Sequence, residues 1–389
     1  MRNRVKPGWG LILFGAVGIA AVCTLSVAPA SGQAAPAQKP QMAEDVFKNI
    51  QVLKGVPVDE FMDTMGFFAA SLSLNCTDCH GDASGGDWAR YADDLPLKQT
   101  ARKMILMVNA LNKNNFGGAR VVTCYTCHRG DQVPKVIPSL ALQYGEPAPD
   151  DPNEVVLPVQ APAGTSADQI FDKYIQALGG TQQLAKLTSF TAQGTYEGYD
   201  TGHQKVPVEI YAKAPGLRTT IVHTAPKETS VRTCDGSAGW IASPDKPVPL
   251  MALTGGELQG AKMDAMLSFP AAARIKQTFT QWRAGSATIG DEDVAVVQGT
   301  SPGRPSVKLY FDAKSGLLVR QVRYASSAVG TNPIQVDYSD YRDVAGVKMP
   351  FQWTVTWTDG QSTTDLSAVQ PNAAIDAAKF AKPAPAKPE

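Results

Sequence analysis

Only four of the 389 residues are histidine, and the 36 basic side chains are balanced by 36 acidic ones. A chain without a positive excess is not expected to bind nucleic acid. Six cysteines are too few, in a chain of this length, for a scaffold held together by disulfides. The sequence contains no P-loop, no G-x-G-x-x-G fingerprint and no nucleophile–base motif. These absences argue against a nucleic-acid-binding protein, a nucleotide-binding enzyme and the common motif-bearing hydrolases.

The apolar content, 43% of residues against 19% charged, is enough for packed cores, and the length predicts two or three folding units. Residues 41–144 show the one-sided apolar period of amphipathic helices. Residues 145–164 contain five prolines and predict an extended linker. Residues 165–381 begin with a helix and continue as alternating strands, and residues 382–389 predict a disordered tail.

The first thirty residues have the layout of a secretory signal. Three basic residues open the chain, an uncharged apolar run covers 9–28, and Ala28-Pro29-Ala30 provides a cleavage site. An uncleaved anchor is the alternative, since twenty uncharged residues can span a bilayer. A lipid anchor at Cys23 is not expected, because Val22 stands where a small residue is usual. We predict a signal over 1–30 and export to the periplasm, with association to the outer face of the inner membrane left open.

Loss of the signal removes three basic residues and leaves the mature chain at net −3. We therefore expect a partner that presents a basic docking patch.

Two five-residue motifs carry the chemistry of the chain. Cys76 to His80 and Cys124 to His128 both read C-x-x-C-H, the spacing of c-type haem attachment. The two thiols form thioethers with one porphyrin, and the histidine that follows brings its imidazole to the iron. A zinc site made from both C-x-x-C pairs and a redox dithiol are the alternatives. The two motifs predict two covalent haems, with Cys76, Cys79, Cys124 and Cys127 as attachment sites and His80 and His128 as iron ligands.

A six-coordinate haem iron needs a second axial ligand, and a helix carrying methionines precedes each motif. Met62 and Met65 precede the first motif, and Met104 and Met107 precede the second. Thioether sulfur stabilises ferrous haem and raises its potential. The alternative is that these methionines only fill core, which is the usual role of Met at helical spacing.

Residues 41–134 resemble the cytochrome c subunit of photosynthetic reaction centres. The resemblance rests on VLKGVP (52–57), the helix with Met65, ARKMILMVNALN (101–112) and VTCYTCHRG (122–130). It implies that Met65 and Met104 are the sixth ligands, and that the function is electron donation to a reaction centre. The family's subunit carries four haems, whereas this chain has two motifs, so the resemblance supports a two-haem module and leaves docking to a reaction centre open.

Residues 165–380 resemble, more loosely, the LolA-like lipoprotein-carrier fold. The similar runs are KLYFDAKSGLLVRQVRY (308–324), VDYSDYRDVAGVKMPFQW (336–353) and PNAAIDAAKF (371–380). The resemblance implies a curved antiparallel sheet with helices in its concavity and a groove for a lipid, an acyl chain or a lipoprotein. A docking or spacer module is the alternative.

The sequence thus predicts a multidomain protein, with an all-α dihaem cytochrome domain followed by an α+β domain with a LolA-like half-barrel. We expect an exported electron carrier that is not an enzyme. The partners expected are redox proteins, among them a membrane-bound electron-transfer complex. A dihaem peroxidase and a lipid-binding module with haem redox sensing are the alternatives.

Overall fold

The computed structural model describes residues 39–81, 87–140, 145, 165–225, 228–243 and 246–384. By its internal contacts the chain divides into two units, Met1–Gln38 and Lys39–Glu389. The predicted signal, the predicted linker apart from Gly145, and the last five residues of the predicted tail lie outside the described residues. Within the part of the chain that the structure describes, no helix has the length and apolar character needed to cross a membrane.

The N-terminal part of the second unit is helical. Its helices are α1 (Ala43–Val46), α2 (Val58–Leu72), α3 (Cys76–Cys79), α4 (Pro96–Asn115) and α5 (Cys124–His128), with a 3-10 turn at Trp88–Ala92. Helix α2 begins after Pro57 with two acidic residues in its first turn, which complement the positive end of the helix dipole. Helix α4 has proline at its first position, where the missing N–H leaves no bond unmade.

Among the residues that the structure describes, the C-terminal part contains four further helices and a single large sheet. The helices are α6 (Ala167–Ala177), α7 (Gly180–Lys186), α8 (Gly255–Leu267) and α9 (Ala272–Gln277), with 3-10 turns at Tyr199–Thr201 and Ala377–Phe380. Ser166 caps α6 by accepting a hydrogen bond from the Gln169 N–H at 3.2 Å, as its position in the sequence predicts.

The sheet has thirteen antiparallel strands. They are β1 (Ser189–Gly198), β2 (Val206–Lys213), β3 (Leu217–Ala225), β4 (Glu228–Cys234), β5 (Gly239–Ala242), β6 (Leu250–Ala252), β7 (Gln281–Ile289), β8 (Glu292–Ser301), β9 (Arg304–Asp312), β10 (Leu318–Ser326), β11 (Thr331–Val344), β12 (Val347–Trp357) and β13 (Gly360–Pro371). Their order is β6-β5-β4-β3-β2-β1-β13-β12-β11-β10-β9-β8-β7. Two meanders therefore meet at the β1–β13 pair, where Phe190 lies opposite Pro371.

Turn signals in the sequence coincide with the hairpins of this sheet. Asp235-Gly236 joins β4 to β5, Asp312 to Gly316 joins β9 to β10, and Asp359-Gly360 joins β12 to β13. The Asp312 carboxylate accepts hydrogen bonds from the Ser315 N–H and hydroxyl, both at 2.6 Å. Short polar side chains thus close the turns in the way that their residue types predict.

Apolar side chains of the helices pack on the sheet. Phe171 and Tyr174 of α6 and Ile275 of α9 join Leu309 and Phe311 of β9 in a buried core. A second core lies on β1, β2 and β12, and it includes Phe190, Ile210, Val208, Met349 and Phe351. The predicted combination of a helical N-terminal region and a C-terminal antiparallel sheet is confirmed.

Helix α2 packs directly against the sheet part of the same unit. The Asp59 carboxylate accepts hydrogen bonds from the backbone N–H and the hydroxyl of Thr254, just before α8. Thr64 Oγ1 accepts a hydrogen bond from the Ala328 N–H at 3.0 Å. The Asn332 side-chain amide donates to the Asp63 carbonyl oxygen at 2.7 Å. One face of the helix that precedes the first C-x-x-C-H motif is therefore fixed to the sheet.

Candidate haem sites

The first C-x-x-C-H motif folds as a single helical turn, α3. The Asn75 side chain accepts a hydrogen bond from the Thr77 N–H at 3.0 Å, and the Asp78 carboxylate accepts one from the Asn75 N–H at 2.8 Å. These two bonds cap the turn at its N-terminus. Cys76 is exposed and Cys79 half-buried, so both thiols lie near the surface.

His80 follows this turn, and its ring is held by backbone and aromatic contacts. Nδ1 lies 2.9 Å from the Tyr91 carbonyl oxygen. The Tyr91 ring stacks on the imidazole with centroids 4.7 Å apart. Because a carbonyl oxygen can only accept, Nδ1 carries the hydrogen and Nε2 keeps a lone pair. Burial lowers the pKa of His80 and so favours the neutral, ligating form.

The second motif, α5, repeats this arrangement. Thr123 caps the turn: its N–H donates to Thr126 Oγ1 at 3.0 Å, and its hydroxyl accepts from the Thr126 N–H at 3.4 Å. The Nδ1 atom of His128 lies 3.1 Å from the Asp131 carbonyl oxygen, which again leaves Nε2 with a lone pair. Cys124 is buried and Cys127 is exposed.

Three of the four motif thiols have a raised pKa, whereas a redox dithiol needs a lowered one. Desolvation by the surrounding protein raises the pKa of Cys76, of Cys79 and of Cys124, even though Cys76 lies at the surface. A reactive dithiol needs a thiol whose pKa is lowered toward neutrality. These three cysteines are therefore held as protonated thiols, which disfavours the redox-dithiol interpretation.

The structure separates the two methionines of α2. Met65 packs in an apolar cluster with Leu53, Phe67 and Ile105, and this cluster also contains Cys124 of the second motif. Met62 is exposed and lines a cavity against the sheet. Met65 therefore faces the helical part, where both motifs lie, and Met62 faces away from it.

Helix α4 has two faces with different surroundings, one buried and one exposed and apolar. Ile105, Val108 and Asn112 are buried in the helical part. Met104, Met107 and Leu111 have the same spacing but are 36%, 46% and 40% exposed. An exposed stripe of this kind on a globular protein usually marks a binding surface. Its apolar character fits the flat apolar face of a porphyrin, so the residues present are compatible with the group that the motifs imply.

The helices of the two motif regions pack crosswise. Helix α2 packs against α5, and α4 packs against α3. The Gly130 N–H, just after the second motif, donates to the Ser71 carbonyl oxygen of α2 at 3.0 Å. The contacts are reciprocal, since each helix that precedes one motif touches the other motif. Both candidate haem sites thus belong to one helical body.

The interpretation of the two motifs as a shared zinc site finds no matching geometry. Among the described residues, no group of three or more His, Cys, Asp or Glu side chains converges closely enough to hold a metal ion. The C-x-x-C pairs do not meet in this part of the molecule.

The sequence does not identify several residues that orient or support the two motifs. The carbonyls of Tyr91 and Asp131 orient the two histidines, and the first is eleven residues from its partner. Asn112 is buried at the end of α4; its Oδ1 accepts from the Val121 and Val122 N–H groups at 3.2 and 2.9 Å. Only the Asn75 cap has a local signal, an Asn three residues before an Asp.

The remaining histidines and the odd cysteine lie in the sheet part. His203 is exposed in a turn, and His223 Nε2 lies 2.8 Å from Glu209 Oε1. Cys234 is 2% exposed and packs with Leu253 and Ala261. Cys234 therefore fills core as a small apolar side chain.

A cavity of about 610 Å³ lies between the sheet, α8 and the face of α2 that carries Met62. Its apolar lining includes Phe190, Ile210 and Val336. Arg218 enters the lining with its guanidinium over the Trp353 ring at 5.8 Å, and its Nη1 donates to Ser268 Oγ at 2.7 Å. The lining also contains charged side chains, among them the ion pairs Arg232–Glu257 at 2.9 Å and Arg323–Asp264 at 3.3 Å. The cavity thus has apolar walls with a charged region, in which Arg218 is placed by Ser268 and Trp353.

Solved structures similar to this chain match its larger, C-terminal part. A LolA superfamily protein from Nitrosomonas europaea is 15% identical with a TM-score of 0.37, over 56% of this chain and 99% of that protein. A DUF1329 family protein from Desulfovibrio piger is 11% identical with a TM-score of 0.38, over 55% of this chain and 96% of that protein.

Sequence relatives match the helical part. Over 105 residues the chain is 36% identical to the photosynthetic reaction center cytochrome c subunit of Roseobacter denitrificans, covering 25% of this chain and 28% of that protein. Over 97 residues it is 40% identical to the subunit of the same name from Thermochromatium tepidum, covering 24% of this chain and 23% of that protein. The chain therefore spans about a quarter of the length of these relatives.

Residues 16–155 match the sequence model of the family described as "Photosynthetic reaction centre cytochrome C subunit". The helical part of this chain, with both C-x-x-C-H motifs, is similar to that family.

Proposed function

We propose that this protein is an exported dihaem c-type cytochrome that carries single electrons. Cys76 and Cys79 attach one haem and Cys124 and Cys127 the other, with His80 and His128 as proximal ligands. Met65 and Met104 are the distal ligands. The family match over residues 16–155 supports a cytochrome electron carrier. An exported cytochrome with these ligands would serve a redox partner at the membrane, of which a reaction centre is one candidate.

One observation carries this proposal: both motif histidines hold Nδ1 against a backbone carbonyl oxygen, at 2.9 Å for His80 and 3.1 Å for His128. Such a bond fixes the tautomer and the ring, and it leaves Nε2 for the iron. Two motifs at separate places in the chain share this feature. A chance C-x-x-C-H sequence would have no reason to orient its histidine in this way.

The bound haem supplies reversible one-electron chemistry at its iron. The chain's own residues hold the rings in place and set their surroundings. The capped turns α3 and α5 hold the backbone of each motif, and the exposed apolar stripe of α4 would exclude water from a haem bound beside it. A thioether ligand raises the potential relative to a second imidazole. These roles require no substrate pocket, which agrees with an electron carrier.

Redox titration of methionine variants tests the ligand assignment. We expect Met65→Ala and Met104→Ala each to lower the potential of one haem, by on the order of 100 mV, since axial ligands set haem potentials over about 0.8 V. Met62→Ala and Met107→Ala are the matched controls on the same helices and should shift the potentials far less, since neither removes a proposed iron ligand. Equal effects of Met62→Ala and Met65→Ala would refute the assignment.

The titration also tells which haem each methionine serves. The family resemblance assigns Met65 to the haem of the first motif, whereas its packing places it beside Cys124 of the second. Combining each Met variant with His80→Ala or His128→Ala identifies the affected haem. An effect of Met65→Ala that persists after His128→Ala and vanishes after His80→Ala supports the assignment to the first motif.

A second candidate function, lipid binding, is favoured by the cavity of about 610 Å³ under α2 and α8. Its apolar walls suit an acyl chain, and the Arg218 guanidinium suits an anionic headgroup. After incubation of the full chain with phosphatidylglycerol vesicles, native mass spectrometry should detect a lipid adduct that Arg218→Leu reduces. A chain that emerges without lipid would contradict this function and leave the cytochrome proposal intact.

A further inference from the structure

Charge is strongly segregated within the helical part. Residues 39–95, which contain the first motif, carry ten acidic and four basic side chains. Residues 96–140, which contain the second motif, carry seven basic side chains and a single acid, Asp131. The two candidate haem sites therefore lie in segments of net charge −6 and +6. The zero balance of the whole sequence conceals this contrast.

Part of the basic excess is neutralised at the N-terminal end of α4. Arg102 forms an ion pair with Asp94 at 2.6 Å, and Lys98 donates to the carbonyl oxygens of Tyr91 and Asp93. These residues lie on the side of the first motif. The positive charge that remains is concentrated farther along the chain.

The C-terminal end of α4 is tied to the second motif. The buried Asn112 side chain bonds the backbone of Val121 and Val122, immediately before the cap residue Thr123. Lys113, next to Asn112, is exposed, and so is Arg129, next to His128. Among the described residues, neither Lys113 nor Arg129 has a carboxylate within ion-pair distance. The positive charges of Lys113 and Arg129, which form no ion pair among the described residues, therefore lie before and after the second motif in the sequence.

Apolar side chains are exposed in the same segments. Val121 is 56% exposed, Tyr125 53% and Val133 68%. Cys127, one of the two motif thiols, is exposed as well. Apolar and aromatic contacts with charged neighbours are the composition of a transient protein interface. We name this region the second-motif surface: Lys113, Val121, Tyr125, Arg129 and Val133.

We propose that the second-motif surface docks a redox protein with an acidic face. The redox nature of the partner rests on the proposed cytochrome function, whereas the docking rests on charge and exposure. Charge complementarity selects the partner: Lys113 and Arg129 attract an acidic surface and repel a basic one, whereas Arg102 and Lys135 are already paired with Asp94 and Asp131. This preference is opposite to what the net charge of −3 suggests. An anionic membrane has the right charge too, but a bilayer offers no electron acceptor to the haem that the second motif would hold beside Tyr125.

A titration with a redox protein of known acidity tests this proposal. The ¹⁵N-labelled full-length holoprotein is titrated with unlabelled cytochrome b5, an acidic haem protein, at low ionic strength. We expect chemical-shift changes at the amides of Val121, Tyr125 and Arg129, and weaker binding as salt is added. Changes confined to the amides around Asp78 and Asp93, or to the sheet, would overturn the proposal.

Charge reversal supplies the quantitative test. Lys113→Glu combined with Arg129→Glu should raise the dissociation constant at least tenfold. The matched control, Lys205→Glu combined with Arg283→Glu, reverses an exposed lysine and an exposed arginine of the sheet part and should change it less than twofold. Equal effects of the two pairs would overturn the proposal, because they would reflect net charge alone.

Two further readouts separate the possible failures. An unchanged haem spectrum in the Lys113/Arg129 double variant shows that any lost binding is not lost folding. If phosphatidylglycerol vesicles perturb the second-motif surface and cytochrome b5 does not, the partner is a membrane and the proposal is wrong. A holoprotein that proves to contain no haem would refute the proposed function, whatever the titration shows.

Discussion

Phe67 of α2 lies against Gly330 in the β10–β11 turn so closely that a β-carbon on Gly330 would overlap the Phe67 ring. Val329, beside Gly330, belongs to the same apolar cluster as Phe67, Ile105 and Cys124. A turn of the sheet therefore completes the core of the helical part. Through this contact the helices that carry the candidate haem sites pack against the sheet part.

Gly330→Ala should destabilise the protein. The added methyl group must displace Phe67 from a packed cluster, and overpacking of this kind costs about 1–3 kcal/mol. Chemical denaturation followed by haem absorbance and by far-UV circular dichroism measures the loss. Gly216→Ala is the control, since a β-carbon there meets no atom within 4 Å. Equal stability of the Gly330 variant and the wild type would show that Phe67 is not confined by this turn.

Asp59→Ala should weaken the attachment of α2 to the sheet part. The carboxylate accepts two hydrogen bonds from Thr254, and one of them satisfies a free backbone N–H at the start of α8. Loss of such a cap costs about 1–2 kcal/mol. Hydrogen exchange should then speed up for amides at the start of α8. Asp45→Ala, which removes an exposed carboxylate from α1, should leave that exchange unchanged.

Asn112→Ala should loosen the segment before the second motif. Its side chain makes three hydrogen bonds to the backbone of Val121 and Val122, and the alanine variant leaves these groups with no replacement partner. We expect a loss of about 2 kcal/mol in the free energy of unfolding. Asn114→Ala, an exposed position on the same helix, is the control. If both variants unfold at the wild-type denaturant concentration, Asn112 does not organise this segment.

Stability should depend on pH through Glu257 of α8. Its carboxylate lies 2.9 Å from Arg232 Nη2. Burial alone would raise the pKa of Glu257, but Arg232 and Arg323 outweigh burial and hold the pKa below the ordinary 4.5. A carboxyl whose pKa is lowered by folding stabilises the folded state above its unfolded pKa, and this stability is lost as pH falls through the folded pKa.

Glu257→Gln should therefore cost roughly 2–3 kcal/mol at pH 7, because it leaves the Arg232 charge without its partner. The difference from the wild type should shrink below about pH 4.5, where the wild-type carboxyl becomes protonated. Glu228→Gln, at an exposed position on the strand of Arg232, is the control. A difference that stays constant from pH 7 to pH 3.5 would contradict this assignment.

Local patterns in the sequence predict the elements of this fold well. The cap at Ser166, the alternation of Phe351 with polar residues in β12 and the turn at Asp359-Gly360 each depend on neighbours a few positions away. The C-x-x-C-H motifs belong to the same class, since five consecutive residues specify the chemistry. No local pattern reveals that Asp59 meets Thr254, because that contact joins residues 195 positions apart.

In the candidate haem sites, too, local sequence patterns predict some features, and contacts between distant residues determine the others. The motifs name the thiols and histidines, but helical spacing alone does not choose between Met62 and Met65, which lie three residues apart on one helix; only the family resemblance selects Met65. Packing separates them, because Met62 faces the cavity and Met65 faces the apolar cluster. The Tyr91 carbonyl that orients His80 has no sequence signature either, since every residue carries a carbonyl group.

The most direct measurement is the number and position of covalent haems in protein produced with haem maturation. Pyridine-haemochrome absorbance gives the stoichiometry, and mass spectrometry of proteolytic peptides locates each haem. We predict two haems per chain, one on the peptide with Cys76 and Cys79 and one on the peptide with Cys124 and Cys127. Peptides that carry no haem, or a protein that binds zinc at these cysteines, would contradict the assignment of this chain as a dihaem cytochrome.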